Sequence, residues 1–210
     1  MGTQRQPLTR QRIVELALVI IDAEGLGALN VRRLAREAGV KPMTLYHHFP
    51  NKDAILNSVA ETIAAAALTE VGPSGPWRDR VRALFTGLHH LVQAHPRALP
   101  LISTGVLRTP SGRRWVNELM ATLLQAGFSA DAAATMYHTL GGYTLGLGYA
   151  TLLGLEVSPE SIVGELAGHW RDYPAMLQVG MRLAAWDTGD EFAMGLDVLL
   201  AHFAAKLDES

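Results

Sequence analysis

The chain of 210 residues has no cysteine and a formal net charge of −2 at pH 7, and it is 49% hydrophobic and 18% charged. These values indicate a folded chain with a sizeable core in one domain or two, and they exclude disulfides, thiolate zinc sites and cysteine nucleophiles. No apolar segment follows the polar first seven residues, so no secretory signal is visible and we expect a cytoplasmic protein.

Charge is spread unevenly along the chain. Residues 1–52 contain eight basic and four acidic residues, whereas the remainder is acidic. A basic segment on an acidic body is typical of a protein in which only that segment meets a polyanion. An ordinary solvated surface is the alternative explanation.

Helical periodicity runs through almost the whole chain, which predicts an all-α fold. Apolar residues recur at steps of three and four, and we find no sustained period-two run bounded by turns. In the first fifty residues this pattern predicts three short helices. Thr9 and Asn30 are the expected N-caps, Gly25 and Gly39 the expected ends, and Pro42 suits the first turn of the third helix.

A fourth helix is expected from its cap residue Asn51 to about Glu70. The stretch Gly72–Pro76 is rich in proline and glycine, and we interpret it as a short linker. Beyond it the apolar pattern predicts helices near Trp77–His95, Leu99–Gly105, Ser111–Ala126, Ala130–Leu155, Ser161–Trp170, Ala175–Ala185 and Asp190–Leu207.

The first three predicted helices have the form of a helix-turn-helix unit. Leu34, Leu45 and Phe49 supply an inner face, whereas the outward positions of the third helix carry hydroxyl, imidazole and ammonium groups. Such groups suit the major groove, where base edges offer donors and acceptors, and flanking basic residues suit phosphates. The outward and flanking residues are Arg32, Arg33, Lys41, Thr44, Tyr46, His47, His48 and Lys52.

The segment LNVRRLAREAGVKPMTLYHHFPNKDAIL resembles the DNA-binding head of TetR-type bacterial transcriptional repressors. The spacing of LA-x-x-AGV, TLY-x-HF and NK-x-x-L carries this likeness. More loosely, GFSADAAATMYHTLGGYTLG and EFAMGLDVLLAHFAAKL resemble the central and last helices of the tetracycline-repressor subfamily. The resemblance implies a helix-turn-helix DNA-binding domain in residues 1–56, which includes the start of the fourth helix. It also implies a helical ligand-binding and dimerisation domain in residues 57–210.

Carried over by position, the resemblance makes Pro42–His48 the recognition helix on a double-stranded, palindromic DNA operator. It implies DNA contacts for Arg32, Lys41, Met43, Thr44, Tyr46, His47 and Lys52, and Arg33 adds flanking charge. Pro42-Met43 replaces a Gln-Pro of the tetracycline repressor and His47 replaces a Trp, so we expect a different operator. A turn-filling role for Met43 is as good an interpretation as a thymine-methyl contact.

The resemblance also implies a pocket for a small-molecule effector. Its expected lining is Leu68, Leu84, Leu88, Ile102, Trp115, Leu119, Ala134, Tyr137, His138 and Gly141. Ile102 replaces the magnesium-ligand histidine of the tetracycline repressor, and a hydrated magnesium complex would lose its partners against apolar walls. We therefore expect a largely apolar or aromatic effector, oriented by Tyr137 or His138, and no metal or other cofactor. Plain core packing is the alternative role for each leucine.

The segment Ala132–Leu155 has no Asp, Glu, Lys or Arg over 24 residues, which is long enough to cross a bilayer. Threonines, tyrosines and glycines dilute its apolar character and no basic cluster flanks it, so we expect protein rather than lipid to cover it. With the apolar stripe of the last helix it would form a four-helix homodimer interface. The expected interface residues are Gly148, Leu152, Phe192, Gly195, Leu199 and Phe203.

The sequence thus predicts a TetR-like DNA-binding regulator, a repressor that its effector releases from the operator. Catalytic spacings are missing: His89 and His90 are adjacent, and Gly146-Leu147-Gly148 lacks the third glycine of a dinucleotide loop. The alternative is a ligand-independent or activating regulator, and an enzyme or membrane sensor is the weakest hypothesis.

Overall fold

The computed structural model describes residues 8–68, 75–155, 172–176, 179 and 188–208. Within these ranges no strand occurs, and the all-α fold class is confirmed. The helices are α1 (Arg10–Glu24), α2 (Val31–Glu37), α3 (Pro42–Tyr46), α4 (Lys52–Leu68), α5 (Trp77–Ala94), α6 (Leu99–Gly105), α7 (Pro110–Gln125), α8 (Ala130–Leu153) and α9 (Thr188–Asp208). The helix predicted at Ser161–Trp170, most of that at Ala175–Ala185 and most of the linker lie outside the described residues.

Side-chain caps and glycines mark the ends of the helices of the head, by which we mean α1–α3, and a cap also marks the start of α4. The side-chain oxygens of Thr9, Asn30 and Asn51 each accept a hydrogen bond from the backbone N–H three residues later, at 2.8–3.1 Å. Gly25 and Gly39 have φ values of 85° and 67°, a region that disfavours residues with a Cβ. The predicted caps and stops are therefore confirmed, and each cap contributes about 1 kcal/mol.

Helix α3, the predicted recognition helix, has only five residues and is too short to be stable alone. Leu45 and Phe49 fix it from below, since both side chains are buried in the core of the head. From α1, the Arg10 guanidinium lies 4.0 Å from the centre of the Phe49 ring and donates a hydrogen bond to the His48 carbonyl. Tertiary packing therefore sets the orientation of α3.

Helix α4 belongs to the head and to the rest of the chain at once. Ile55, Val59 and Ile63 are buried in the same cluster as the head residues, and this cluster also contains Ala98 from the turn before α6. On its other side, the Glu61 carboxylate accepts hydrogen bonds from the backbone N–H and the Oγ of Ser111, at 2.9 and 2.6 Å. A carboxylate at the N-terminus of α7 is favoured by the helix dipole.

The described chain forms two compact units, one ending at Gly148 and the other beginning at Tyr149. This division differs from the domain boundary expected after residue 56, because α4 packs on α1 and also on α5, α6 and α7. The functional division at residue 56 stays a prediction. In the second unit, Phe192, Leu196, Leu200 and Phe203 form the buried face of α9.

Helix α8 contains most of the uncharged segment. None of the helices in the described ranges is long and apolar enough to span a membrane. Gly148 of α8 is buried, and a Cβ placed on it would overlap Cγ1 of Val92 and lie 3.2 Å from Cδ2 of Leu99. The missing side chain of Gly148 thus admits α5 and α6 of the same chain, and its place at a subunit seam stays a prediction.

Replacing Gly148 by alanine should lower the free energy of unfolding. Overpacking costs about 1–3 kcal/mol, which exceeds the roughly 1 kcal/mol that alanine gains over glycine in a helix. Urea unfolding of Gly148→Ala, Val92→Ala and the double variant measures the effect. If the new Cβ overlaps Val92, then Val92→Ala should lower the free energy of unfolding less in the Gly148→Ala variant than in the native chain. Equal losses would contradict this packing role.

Burial lowers the pKa of His89, which is 5% exposed on α5, and the neighbouring His90 lowers it further. The unfolded chain therefore binds a proton at a higher pH than the folded chain does, and stability should fall as the pH drops below about 6.5. Replacing His89 by leucine should reduce this slope, measured by urea unfolding between pH 7.5 and 5. An unchanged slope would show that other groups determine the pH dependence.

Candidate nucleic-acid interface and ligand cavity

The outer face of α3 is exposed where the sequence predicted DNA contacts. Met43 and Tyr46 are 68% and 46% exposed, although large apolar and aromatic side chains are usually buried. Lys41 and His47 are also exposed, whereas Thr44 is half-buried. This face presents the ammonium group of Lys41, the imidazole of His47, the phenol of Tyr46 and the apolar side chain of Met43. Such groups can contact phosphates and base edges.

Arg32 and Arg33 are neighbours with different surroundings. Arg32 is exposed and makes no ion pair with any residue that the structure describes. The Arg33 guanidinium lies 2.6 Å from a Glu24 oxygen and 3.0 Å from a Glu37 oxygen, and these hydrogen bonds, that of Glu24 first, raise its pKa. The Arg33 guanidinium thus joins α1 to α2, and its DNA contact stays a prediction. Lys52, the first residue of α4, is half-buried.

A cavity of about 350 Å³ lies within the first unit. Helices α4 to α8 and the segment after α6 form its walls. The lining residues are Ala60, Ile63, Ala64 and Ala67 of α4, Phe85, Leu88 and Leu91 of α5, Leu101, Ile102, Ser103 and Gly105 of α6, Thr109, Gly112 and Trp115 of the α7 region, and Tyr137, His138, Gly141, Gly142 and Leu145 of α8.

Six of the predicted ligand residues line this cavity: Leu88, Ile102, Trp115, Tyr137, His138 and Gly141. Leu68, Leu84, Leu119 and Ala134 are not among its lining residues, and their contact with a ligand stays a prediction. Leu84 and Leu119 are fully buried in the core. Phe85, one residue after Leu84, takes the wall position instead.

Leu68 was the one α4 residue predicted to line the cavity, and the four α4 residues that do line it were not predicted. Ala60, Ile63, Ala64 and Ala67 follow one another at steps of three, one and three residues, which places them on one helix face. This spacing was readable in the sequence. Small side chains rarely identify a binding wall, however, because alanine is favoured throughout helices for its propensity alone.

The cavity carries hydrogen-bonding groups but no formal charge among its described lining residues. Trp115 is 5% exposed, and its ring packs edge-to-face on Phe85 with centroids 5.3 Å apart. The indole Nε1–H has no acceptor among the described residues. An unpaired buried donor costs about 1–3 kcal/mol. Tyr137 and His138 also pack edge-to-face, at 5.2 Å, with His138 exposed.

Polar contacts link the end of α1 to the turn that precedes α6. His95 Nδ1 lies 2.9 and 3.1 Å from the two carboxylate oxygens of Asp22. Arg97 donates hydrogen bonds to the backbone carbonyls of Asp22 and Ala23, at the C-terminal end of α1, where the helix dipole favours a cation. Since α6 lines the cavity, these contacts connect the cavity wall with the head.

The residues predicted for a subunit interface have different exposures. Phe192 and Phe203 are 3% and 8% exposed within the chain, and their contact with a second subunit stays a prediction. Leu152, Gly195 and Leu199 are half-buried. The exposed apolar residues of α9 are instead Met194 and Val198, at 50% and 63%.

Comparison with known families gives two matches that together span most of the chain. Residues 13–59 match the family of bacterial regulatory proteins called tetR, and residues 72–207 match the tetracyclin repressor-like C-terminal domain. The first match ends three residues beyond the domain boundary predicted after residue 56. The second of them alone covers more than half of the chain.

Individual proteins are similar over nearly the same extent. The tetracycline repressor protein class E of Escherichia coli is 25% identical over 205 residues, 96% of this chain and 93% of that protein. The HTH-type transcriptional repressor DrrR1 of Streptomyces coeruleorubidus is 27% identical over 173 residues, 81% of this chain and 63% of that protein.

Solved structures agree with this chain in fold. Apo ActR from Streptomyces coelicolor superposes with a TM-score of 0.78 at 27% identity, covering 97% of this chain and 98% of ActR. ActR in complex with actinorhodin gives a TM-score of 0.75 at 26% identity, covering 96% of this chain and 99% of ActR.

Proposed function

This chain belongs to the TetR family of bacterial regulatory proteins, and from that premise we propose that a small molecule in the α4–α8 cavity releases it from its DNA operator. It is a DNA-binding transcriptional regulator with a helix-turn-helix head. The observation that carries the proposal is the cavity, whose α4 and α6 walls continue into the core of the head. We further infer that this regulator acts in the cytoplasm, by binding rather than by catalysis.

DNA recognition by α3 is supported by its exposure and by the charge around it. Met43, Tyr46 and His47 project from a helix that the core holds in place, and Lys41 caps its start. Exposed Arg32 adds a cation that no described carboxylate neutralises. We propose base or nearby sugar contacts for Arg32, Lys41, Met43, Thr44 and His47, and phosphate contacts for Tyr46 and Lys52.

An aromatic or largely apolar effector fits the cavity. Its walls carry aromatic and aliphatic side chains, and none of the described lining residues could balance a charged ligand. ActR is similar to this chain and forms complexes with actinorhodin and with (S)-DNPA. We infer that the corresponding space in this chain serves an effector too, although the lining of this chain defines its own specificity.

The route from cavity to DNA runs through α4 and through the turn before α6. A ligand that displaces α6 would also displace His95 and Arg97, which hold the C-terminal end of α1. Movement of α4 would act on the head directly, because the two share a core. Release requires that the effector bind the DNA-incompetent arrangement more tightly than the competent one.

We also infer that the regulator is a homodimer on a palindromic operator. Two heads related by a two-fold axis would present their recognition helices to successive major grooves, about 34 Å apart. Exposed Met194 and Val198 lie one turn apart on the α9 face opposite its buried residues, and they supply an apolar stripe for a second copy of the chain.

A DNA-binding measurement tests the proposed function, and alanine substitutions of Arg32 and Arg33 test the proposed DNA interface. The purified protein should bind a duplex from the region upstream of its own gene, and the affinity should fall steeply with salt. Arg32→Ala should weaken binding about tenfold, the value of one good base or phosphate contact. Arg33→Ala should weaken it much less, because Glu24 and Glu37 already engage that guanidinium.

Fluorescence anisotropy with labelled duplex measures these affinities, and thermal unfolding confirms that each variant is folded. Equal losses in the two variants would contradict the structural role of Arg33. Failure of the native protein to bind any DNA would remove the proposed function itself.

Substituting Val198 by glutamate should convert the dimer to a monomer. A carboxylate facing its symmetry mate in an apolar interface would be desolvated and repelled. Val19 on α1 is also 63% exposed, so Val19→Glu is a control of equal exposure in another part of the chain. Sedimentation equilibrium reports the mass of each, and a Val198→Glu protein that stays dimeric would place the interface elsewhere.

A further inference from the structure

The arginines of the head fall into two groups. Arg10, Arg12 and Arg33 each donate a side-chain hydrogen bond to another residue in the range 8–49. Arg32 and Arg36 of α2 are exposed, and neither guanidinium makes a hydrogen bond or an ion pair with any residue that the structure describes. Arg36 thus carries a charge that the described part of the chain does not neutralise, and it is absent from the DNA contacts proposed above.

The spacing of these two arginines makes the arrangement unfavourable in the free protein. Arg32 and Arg36 are four residues apart in α2, so their side chains leave one face of the helix, about 6 Å apart along its axis. Like charges at this spacing destabilise a helix. The positions three and four residues away from Arg36 on either side hold Arg32, Arg33, Gly39 and Val40. None of them is acidic, so no neighbour on the helix offsets the repulsion.

Arg36 lies where α2 leads into α3. Its backbone carbonyl accepts a hydrogen bond from the N–H of Gly39, at 3.1 Å, and Gly39 turns the chain with a φ of 67°. Lys41, also exposed, is the N-cap residue of α3 two positions later. Exposed cations therefore follow one another along α2, the turn and the start of α3.

A regularly repeated anion suits such a series of cations. Each DNA strand carries one phosphate per about 3.4 Å of helix axis, whereas a single carboxylate would neutralise only one guanidinium. An acidic protein surface would also supply several negative charges. The adjoining face of α3 favours DNA, because it presents the imidazole of His47 and the apolar side chain of Met43, which suit base edges.

We propose that Arg36 binds a DNA phosphate beside the contact made by Arg32. This inference rests on the proposed function, since it takes the head as the DNA-binding unit. It adds a residue that contributes affinity without reading sequence, because phosphates are the same at every base pair. The phosphate also screens the two guanidiniums from each other, so binding relieves the repulsion within α2.

The salt dependence of DNA binding measures a phosphate contact directly. Fluorescence anisotropy gives the affinity for a labelled duplex from the region upstream of the gene and for a scrambled duplex of equal length, with sodium chloride between about 50 and 200 mM. Arg36→Gln should reduce the slope of log K against log salt by about 0.9 for each bound head. The affinity should fall about three- to tenfold for each head, by the same factor on both duplexes.

Two further variants separate a local contact from net charge. Arg36→Lys keeps a cation at the position, so its slope should stay close to that of the native protein. Arg108→Gln is the matched control: Arg108 is exposed, lies outside the head between α6 and α7, and loses the same charge on substitution. Its slope and affinity should be those of the native protein.

Thermal unfolding without DNA tests a purely structural role of Arg36. The residue lies in the last turn of α2, where the helix dipole favours a cation. If that were its only role, Arg36→Gln would lower the melting temperature and leave the salt slope unchanged. The proposal requires the slope to change in a protein that is folded at the temperature of the binding measurement.

The outcomes distinguish this inference from the proposed function. Native-like slope and affinity in a folded Arg36→Gln protein would overturn the role of Arg36 and leave DNA binding intact. An equal loss in Arg108→Gln would reduce the effect to net charge, and a loss confined to the upstream duplex would indicate a base contact, so either result contradicts a phosphate contact. Failure of the native protein to bind either duplex would remove the proposed function, and this inference with it.

Discussion

Helix α4 is the element on which the head and the cavity both depend. Its Ile55 and Val59 are buried with the residues of the head, whereas Ala60, Ala64 and Ala67 face the cavity, and Ile63 does both. A packed core transmits displacement because its interior is as dense as an organic crystal. The cavity cannot be filled or emptied without changing the surroundings of the helix that supports the recognition unit.

The Asp22, His95 and Arg97 contacts reinforce this arrangement from the other side of the head. They hold the last turn of α1, while α4 holds its apolar face. The head is thus attached at two places to elements that line the cavity, namely α4 and the turn leading into α6. Two attachments convert a local shift into a rotation more readily than one flexible tether would.

Local rules explain why much of the fold was predictable. The caps Thr9, Asn30 and Asn51 and the left-handed glycines Gly25 and Gly39 act within a few residues of their positions, and the structure has them as predicted. Gly148 is harder to interpret, because a glycine in a helix indicates a close approach without identifying the partner. Here the partner is Val92, 56 positions earlier in this chain, which no periodicity reveals.

The candidate site could likewise be predicted only as far as the helical spacing of the sequence allows. Helical spacing found the helices that line the cavity and the exposed side of α3, but Leu84 and Phe85 differ by one position, and the rotation of α5 in the folded chain decides which of them faces the cavity.

Arg33 is a similar case. Its charge predicted a contact with DNA, and only the folded chain brings Glu24 from α1 beside it. The apolar stripe of α9 was recognised, but Phe192 and Phe203 face inward within the chain.

Magnitudes separate the two tasks that the cavity performs. Burying one aromatic ring system removes about 150–250 Å² from water, worth roughly 4–6 kcal/mol at about 25 cal/mol per Å². Reversing a population from 1:99 to 99:1 requires about 5.5 kcal/mol of differential affinity. Filling the cavity in one arrangement alone therefore supplies enough free energy to switch the regulator. A single hydrogen bond, worth about 1 kcal/mol, is too weak to switch it and is sufficient to choose among ligands of one shape. In the proposed mechanism, apolar contact in the cavity supplies the free energy that releases the regulator from DNA, and polar contacts of the lining select among ligands.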